Sequence, residues 1–163
     1  MKTTFTLAAI ALSFIASLAG AQAVRTEKNM SLELANQIAS ATVAACSANG
    51  YNVGVAVVDR AGTLRAFQRA DNAGPHTVGG AQGKAFTSAS AKNTTAAMLE
   101  GAQKNPAAAT LVNIPGFLVL GGGVPVKVGN EVIGAIGVSG APGGHLDEQC
   151  ANAAIDKVKE LLK

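Results

Sequence analysis

The sequence is short of aromatic side chains and of charge. Its 163 residues include no tryptophan, one tyrosine and five phenylalanines, and charged residues make up 14% of the chain. Proteins that bind nucleic acids need clustered cations and, for single strands, aromatic rings on which bases stack. Here the lysines and arginines are scattered, and the formal net charge is only +3. The composition therefore argues against a nucleic-acid partner.

Metal-binding and redox residues are equally few. The chain has two cysteines and two histidines, and neither a Cys-x-x-Cys nor a His-x-x-x-His spacing occurs. A structural zinc site is therefore not expected, and the absence of Cys-x-x-Cys-His excludes the thioether attachment of a c-type haem. Cys46 and Cys150 lie far apart in the sequence. They either form a disulfide, which an oxidising compartment permits, or are two small buried thiols, and the sequence leaves both open.

No long apolar run follows the N-terminal region. Lys2 precedes an apolar run from Phe5 to Leu18, and Ala21-Gln22-Ala23 is a small-x-small cleavage site. This pattern is typical of a secretory signal peptide, and the run is too short to span a membrane comfortably. We therefore predict a signal peptide over residues 1–23 and a single mature domain over 24–163 without a membrane span. The expected location is periplasmic or secreted, after bacterial export.

Glycine, by contrast, is abundant, and it is concentrated between residues 120 and 140. Gly121–Gly123 precede Pro125, and Gly129-Asn130 separates two Val/Ile-rich runs, which indicates a hairpin. No Lys-Ser/Thr pair or helix follows the three glycines directly, so the stretch is neither a phosphate-binding P-loop nor a dinucleotide fingerprint. We interpret Gly122, Gly123 and Pro125 as part of the wall of a ligand pocket or of a subunit interface. The alternative is that these glycines serve only turns and close packing.

Hydrophobic periodicity and turn signals predict an α+β fold. Adjacent strands have short connections, which favours a mainly antiparallel sheet of about five strands flanked by helices, in the order α-β-β-α-α-β-β-β-α. The predicted elements are a helix from Asn29 or Ser31 to about Asn49, strands over 51–59 and 63–69, helices over 76–92 and 93–104, a strand over 117–120, the two strands of the glycine-rich hairpin, and a final helix opened by Asp147 and Glu148.

Four motifs carry a resemblance to a known family. They are Val55-Ala56-Val57-Val58-Asp59-Arg60-Ala61-Gly62 with Arg69-Ala70-Asp71, Gly83-Lys84-Ala85-Phe86-Thr87-Ser88-Ala89, Gly121-Gly122-Gly123-Val124-Pro125 with Gly134–Ala141, and Asp147-Glu148-x-Cys150-Ala151. In this order they resemble the GlcG/HbpS-like haem-binding family, also called the haem-degrading domain family, over nearly all of the mature chain. The resemblance implies a sheet flanked by helices, assembly into homo-oligomers, and haem binding in some members.

Two histidines are the candidate ligands of a haem or a metal ion. His76 and His145 each lie in a glycine-containing loop just before a predicted helix, where a side chain is accessible. Haem iron takes a basic axial ligand such as histidine. With the resemblance in view, His76 is the first candidate for a haem or metal ligand and His145 the second, although His145 departs from what we expect of the family at that loop. The alternative for both is an exposed loop residue or a helix cap.

Cations near the histidines are the candidate partners of haem propionates. Arg69 and Lys84 lie near the loop that carries His76, so one acidic ligand could meet all three side chains; Arg60 and Arg65 are further cations. The alternative is a set of solvated surface charges.

The leading functional hypothesis is an exported haem-binding protein: a non-covalent carrier, buffer or sensor of haem, with haem breakdown as a further activity considered. We expect a binding protein rather than a catalyst, and the sequence assigns no catalytic residue. Two other classes stay open. One is a protein that binds or converts a small organic acid or carbonyl compound in the same pocket, and the other is an oligomeric accessory module without catalysis of its own.

Overall fold

The protein is described by a computed structural model over residues 24–163. The predicted signal peptide, residues 1–23, lies outside the described residues. The elements in chain order are α1 (Leu32–Ala48), β1 (Gly54–Asp59), β2 (Leu64–Arg69), α2 (His76–Ala91), α3 (Thr95–Lys104), a 3₁₀ segment (Pro106–Asn113), β3 (Gly123–Val128), β4 (Glu131–Ser139), α4 (Gly144–Val158) and a 3₁₀ turn (Lys159–Leu161).

The described strands form one four-stranded antiparallel sheet in the order β2-β1-β4-β3. The α+β class and the element order are confirmed, but the predicted fifth strand over 117–120 is wrong. The backbone there is bonded elsewhere: the Leu118 N–H donates to the Thr87 hydroxyl, and the Phe117 N–H donates to the Ile114 carbonyl. Gly116, at φ +84°, turns the chain just before this segment. Since these N–H groups are already satisfied by α2 and by a local turn, the segment does not join the sheet.

Local signals place the helix and hairpin boundaries. The Ser31 hydroxyl accepts a hydrogen bond from the Leu34 N–H and caps α1. In the β1–β2 hairpin, the Asp59 carboxylate accepts hydrogen bonds from the Ala61 and Thr63 N–H groups, both at 3.0 Å. Gly129 has φ +59° in the two-residue turn between β3 and β4. These turns set the register of the sheet and so place the loops at its ends.

Each face of the sheet is covered by helices. Valine and isoleucine side chains such as Val55, Val57 and Ile136 form the larger cluster with α1 and α4. The opposite face carries Ala56 and Ala135, which pack against the alanines of α2. This arrangement brings the N-terminal ends of α2 and α4 close to the loop that follows β4.

Two further findings concern the cysteines and the membrane. Cys46 of α1 and Cys150 of α4 form a disulfide, with Cα atoms 5.3 Å apart, so the first of the two alternatives for the cysteines is the one observed. Among residues 24–163, no helix has both the length and the apolar character needed to cross a bilayer.

Candidate functional site

His76 is the first residue of α2, and its side chain is exposed. The imidazole lies back over Gly74, where an added Cβ would come within 2.8 Å of the ring. The neighbouring Thr77 hydroxyl donates a hydrogen bond of 2.7 Å to the Gly74 carbonyl, which holds the turn before the helix. Glycine at position 74 therefore allows the ring its position, and Thr77 fixes the backbone beneath it.

An open depression of about 290 Å³ lies beside this imidazole. Its walls come from the end of α1, the turn before α2 and the loop after β4. The lining residues are Gly50, Tyr51, Asn52, Asn72, Gly74, His76, Thr77, Gly140 and Pro142. Gly140 has φ +133°, and a Cβ there would lie 2.5 Å from the Asn52 carbonyl oxygen and 3.2 Å from the Thr77 methyl group. The loop after β4 thus packs directly against the start of α2.

His145 repeats the local geometry of His76 at the start of α4. Its ring lies back over Gly143, again with 2.8 Å to the position of an added Cβ, and its side chain is exposed. Pro142, three residues earlier, lines the His76 depression, but His145 itself does not. His145 therefore follows the loop after β4 directly in the chain, but only His76 borders the depression.

The candidate cations differ sharply in their surroundings. Arg69 is exposed at the end of β2 and forms no ion pair within residues 24–163. Arg60 pairs with Glu131 at 2.6 Å and with Glu27 at 3.3 Å. The hydrogen bond from Arg60 lowers the pKa of Glu131. Of these two arginines, Arg69 has the guanidinium that is not already paired.

Lys84, the other predicted cation, is buried in an ion pair. Its Nζ lies 2.8 Å from Oδ2 of Asp147, and both side chains are 3% exposed. The Lys84 ammonium also donates to the Val138 carbonyl at 2.8 Å, and Oδ1 of Asp147 accepts from the Ala141 N–H at 3.0 Å. Burial raises the pKa of Asp147 above its usual range, although Lys84 and the Ala141 amide oppose that rise. Lys84 therefore acts inside the protein, and a propionate could reach it only by breaking this pair.

Gly122 and Gly123 of the glycine-rich segment lie against Lys84 and are not among the residues that line the depression. A Cβ on Gly122, which has φ +122°, would lie 2.5 Å from the Val138 carbonyl oxygen and 2.8 Å from the Lys84 Nζ. A Cβ on Gly123 would lie 2.5 Å from the Lys84 carbonyl oxygen. Pro125 is in β3, at the edge of the sheet, where the missing N–H is tolerated. Close packing, the alternative considered from the sequence, is the role that the structure shows for Gly122 and Gly123.

The two acidic residues that open α4 have separate partners in the structure. Asp147 pairs with Lys84 as described, and it also lies in the first turn of α4. Oε1 of Glu148 accepts a hydrogen bond from the Ala96 N–H at 3.1 Å, so Glu148 caps α3 from a neighbouring helix. Within residues 24–163, no cluster of three or more histidine, cysteine, aspartate or glutamate side chains could hold a metal ion. A metal centre built from protein side chains alone is therefore not found in this part of the chain.

Comparison with known proteins identifies the family. Residues 30–156 match the family model described as haem degrading protein HbpS-like. The chain belongs to this HbpS-like family.

Relatives of this HbpS-like chain agree in sequence and in fold. It is 38% identical to the protein GlcG of Escherichia coli K12 over 110 residues, which covers 65% of this chain and 81% of GlcG. The structure of a double mutant of HbpS from Streptomyces reticuli has a TM-score of 0.79 and 35% identity, covering 96% of this chain and 99% of HbpS. A PduOC–haem complex has a TM-score of 0.69 at 24% identity, over 78% of this chain and 94% of that one, which shows a shared fold.

Sequence reasoning missed most of the residues around His76 in this HbpS-like chain. Asn52, Asn72 and Thr77 line the depression but were not among the candidates. Asn72 and Thr77 flank His76 in the sequence, so proximity to the histidine was a usable signal. Asn52 carried no such signal, because only the packing of the loop after β4 places it there.

Proposed function

We propose that this chain is an exported haem-binding protein, a non-covalent carrier, buffer or sensor of haem, in which His76 is the axial ligand. The observation that carries the proposal is the exposed His76 imidazole at the wall of an open depression, in a chain of the HbpS-like family. A bound haem would supply an iron centre whose reactivity depends on its axial ligand and its surroundings.

His76 and Arg69 supply the axial ligand and the cation that such a group would need, beside a depression whose lining is mostly polar. The imidazole is accessible, and the Gly74–Thr77 turn fixes its backbone. Arg69 lies at the end of the strand that leads into this turn, and its exposed guanidinium is suited to a propionate. The depression, at about 290 Å³, is close to the lower limit of roughly 300 Å³ for small-molecule pockets. A haem bound through His76 would therefore be only partly enclosed.

Export is part of the same proposal. The buried Cys46–Cys150 disulfide supports it, because structural disulfides persist in oxidising compartments such as the periplasm or the cell exterior. Mass spectrometry of the protein recovered from the periplasm or medium of an expressing bacterium tests it. We expect a chain that begins near Val24 and carries no free thiol. An intact N-terminus with two free thiols in the cytosol would contradict export.

Hemin titration of the mature chain tests the haem proposal. We expect a shifted Soret band in the wild type and in His145→Ala, and loss of that shift in His76→Ala. The His145 variant is a matched control, because both rings are exposed at a helix start and lie over a glycine two residues earlier. Identical spectra in both variants would exclude histidine ligation, and loss only in His145→Ala would reverse the assignment.

A second candidate function is the binding of a small polar ligand in the same depression without haem. Its favouring observation is the lining itself, in which Tyr51, Asn52, Asn72 and Thr77 supply hydroxyl and amide groups. A protein that ignores hemin, yet is thermally stabilised by a small organic acid in a manner that His76→Ala abolishes, would support this candidate over haem.

Assembly into a homo-oligomer also belongs to the proposal. Val112, Ile114 and Leu120 are large apolar side chains that are 42–57% exposed within one short stretch of the chain. Light scattering of the mature protein should give a mass that is a multiple of the monomer, and replacing these three residues by serine should lower it. A monomeric wild type would contradict this part.

A further inference from the structure

A buried ion pair joins the two helices that carry the histidines. Lys84 lies on α2, two turns after His76, and Asp147 lies on α4, two residues after His145. The 2.8 Å contact between Nζ and Oδ2 lies in a region where both side chains are 3% exposed. Because each partner sits on a separate helix, the pair sets the distance between the start of α4 and the body of α2.

The remaining hydrogen bonds of the pair all reach one short segment, Val138–Ala141. Lys84 donates to the Val138 carbonyl, and Asp147 accepts from the Ala141 N–H. Gly122 leaves the space for this arrangement, since a Cβ there would lie 2.8 Å from the Lys84 Nζ and 2.9 Å from the Asp147 Cβ. Lys84 thus binds the end of β4, and Asp147 binds the start of the following loop.

That segment forms a wall of the His76 depression. Gly140 and Pro142, on either side of Ala141, both line it. The Gly140 backbone packs against the Asn52 carbonyl and the Thr77 methyl group, and Thr77 adjoins His76 in the chain. If Ala141 moved away from Asp147, the loop after β4 would therefore separate from Asn52 and Thr77, the residues that border His76.

Stability alone does not account for such a pair. Removing two charges from water is costly, and an apolar pair of the same shape is often as stable or more stable. What an apolar pair cannot do is accept the Ala141 N–H or donate to the Val138 carbonyl. What Lys84 and Asp147 add is therefore their hydrogen bonds to the Val138 carbonyl and the Ala141 N–H.

We propose that Lys84 and Asp147 are positioning residues: they hold the loop after β4 against the N-terminal end of α2 and so set the shape of the depression in which His76 lies. The consequence for haem ligation rests on the proposed function, whereas the positioning of the loop does not.

The double variant Lys84→Met/Asp147→Leu separates positioning from stability, because methionine and leucine match the shapes of the two side chains. We expect the double variant to lose less stability than either single variant, which would leave one buried charge unpaired. Hydrogen exchange of the Ala141 amide should be faster by about tenfold or more, since its acceptor is gone. We also expect changed NMR shifts for the His76 imidazole. Wild-type exchange at Ala141 together with an unchanged His76 signal would overturn the proposal.

A second variant keeps the test decisive if the first fails to fold. Lys84→Met/Asp147→Asn retains a carbonyl oxygen at position 147 for the Ala141 N–H, so we expect it to restore slow exchange and a wild-type His76 signal. Ile136→Val, which changes the core under α1 and α4 but leaves Lys84 and Asp147 in place, is the control for general loosening and should leave both signals unchanged. Fast exchange in the asparagine variant, or equal changes in the Ile136 control, would overturn the positioning role.

Hemin provides the second readout. If the wild type binds hemin, we expect the leucine double variant to bind it at least several-fold more weakly or with a displaced Soret band, and the asparagine double variant and the Ile136 control to resemble the wild type. Identical titrations of wild type and leucine double variant would overturn the link to ligand binding. A wild type that does not bind hemin refutes the proposed function, while Ala141 exchange still decides the positioning role.

Discussion

The sheet face beneath α1 and α4 is packed by valine and isoleucine, whereas the face beneath α2 is packed by alanine and glycine. On the first face large side chains lie between the sheet and the helices, and a disulfide joins the two helices. On the second face the α2 backbone touches the sheet: a Cβ at Gly137 would overlap the Ala81 carbonyl oxygen. The first face is therefore sensitive to lost volume and the second to added volume. The close approach of α2 also brings Lys84 and His76 to the loop after β4.

The largest effect should come from adding volume where α2 is closest. In Gly137→Val the new Cβ would overlap the Ala81 carbonyl oxygen and lie 2.5 Å from the Ala85 amide nitrogen. Backbone atoms cannot move aside as a side chain can, so we expect a loss of roughly 3 kcal/mol or more in the free energy of unfolding. Urea denaturation, or the loss of soluble protein, measures it. A folded variant with a wild-type midpoint would show that α2 is not held by this contact.

Removing the disulfide should be the next largest change, and it affects the opposite face. Cys46 and Cys150 are separated by 104 positions in the sequence, so the double alanine variant regains much chain entropy on unfolding and should lose about 2–5 kcal/mol. The variant and the reduced wild type should both have lower urea midpoints than the disulfide-bonded wild type. Equal midpoints with and without the disulfide would mean that side-chain packing alone holds α1 to α4.

Adjacent residues of β4 allow the two faces to be compared directly. Ile136 is fully buried toward α1 and α4, and Ala135 is fully buried toward α2. We expect Ala135→Val to cost about 1–3 kcal/mol through overpacking and Ile136→Val to cost about 0.5–1.5 kcal/mol through a small cavity. The same denaturation series measures both. A smaller loss for Ala135→Val than for Ile136→Val would contradict the contrast between the faces.

Position 79 tests whether only the inner side of α2 is intolerant. Gly79 is exposed, and no heavy atom lies within 4 Å of an added Cβ. Gly79→Ala should therefore stabilise the protein by about 0.5–1 kcal/mol, through better helix propensity alone. Thermal denaturation is sufficient to measure this. A destabilised Gly79→Ala would indicate that the outer side of α2 also contacts something.

The ion pair that links the two faces predicts a small dependence on pH. Burial raises the pKa of Asp147 above the usual 3.8, so the folded state binds its proton more tightly than the unfolded state does. This difference in proton affinity stabilises the folded state fully when the pH is below the usual pKa of Asp147. The stabilisation is lost as the pH rises through the raised pKa of the folded state. Relative to Asp147→Asn, the wild type should therefore lose stability as the pH rises above 3.8. Urea midpoints of both proteins between about pH 3 and pH 6 measure this, and a relative gain by the wild type would reverse the sign.

Local signals account for most of the secondary structure. The Ser31 cap, the Asp59 turn and the Gly129-Asn130 turn each involve atoms only a few residues apart, so their geometry is encoded in the sequence nearby. The stretch 117–120 shows where such signals fail. Its Phe-Leu-Val-Leu side chains suit a strand, but Thr87, thirty-one residues away from Leu118, accepts the Leu118 N–H instead.

The candidate site divides in the same way between features set by neighbouring residues and features set by contacts distant in the chain. The sequence alone identified the α+β class, the family and two accessible histidines, because residue order, motifs and the glycines before each histidine are local properties. Only the tertiary structure decided that Cys46 pairs with Cys150, that Lys84 is buried against Asp147, and that Gly122 makes room for that pair. Each of these joins residues distant in the chain, and it is the packing of α1, α2 and α4 around the sheet that brings them together.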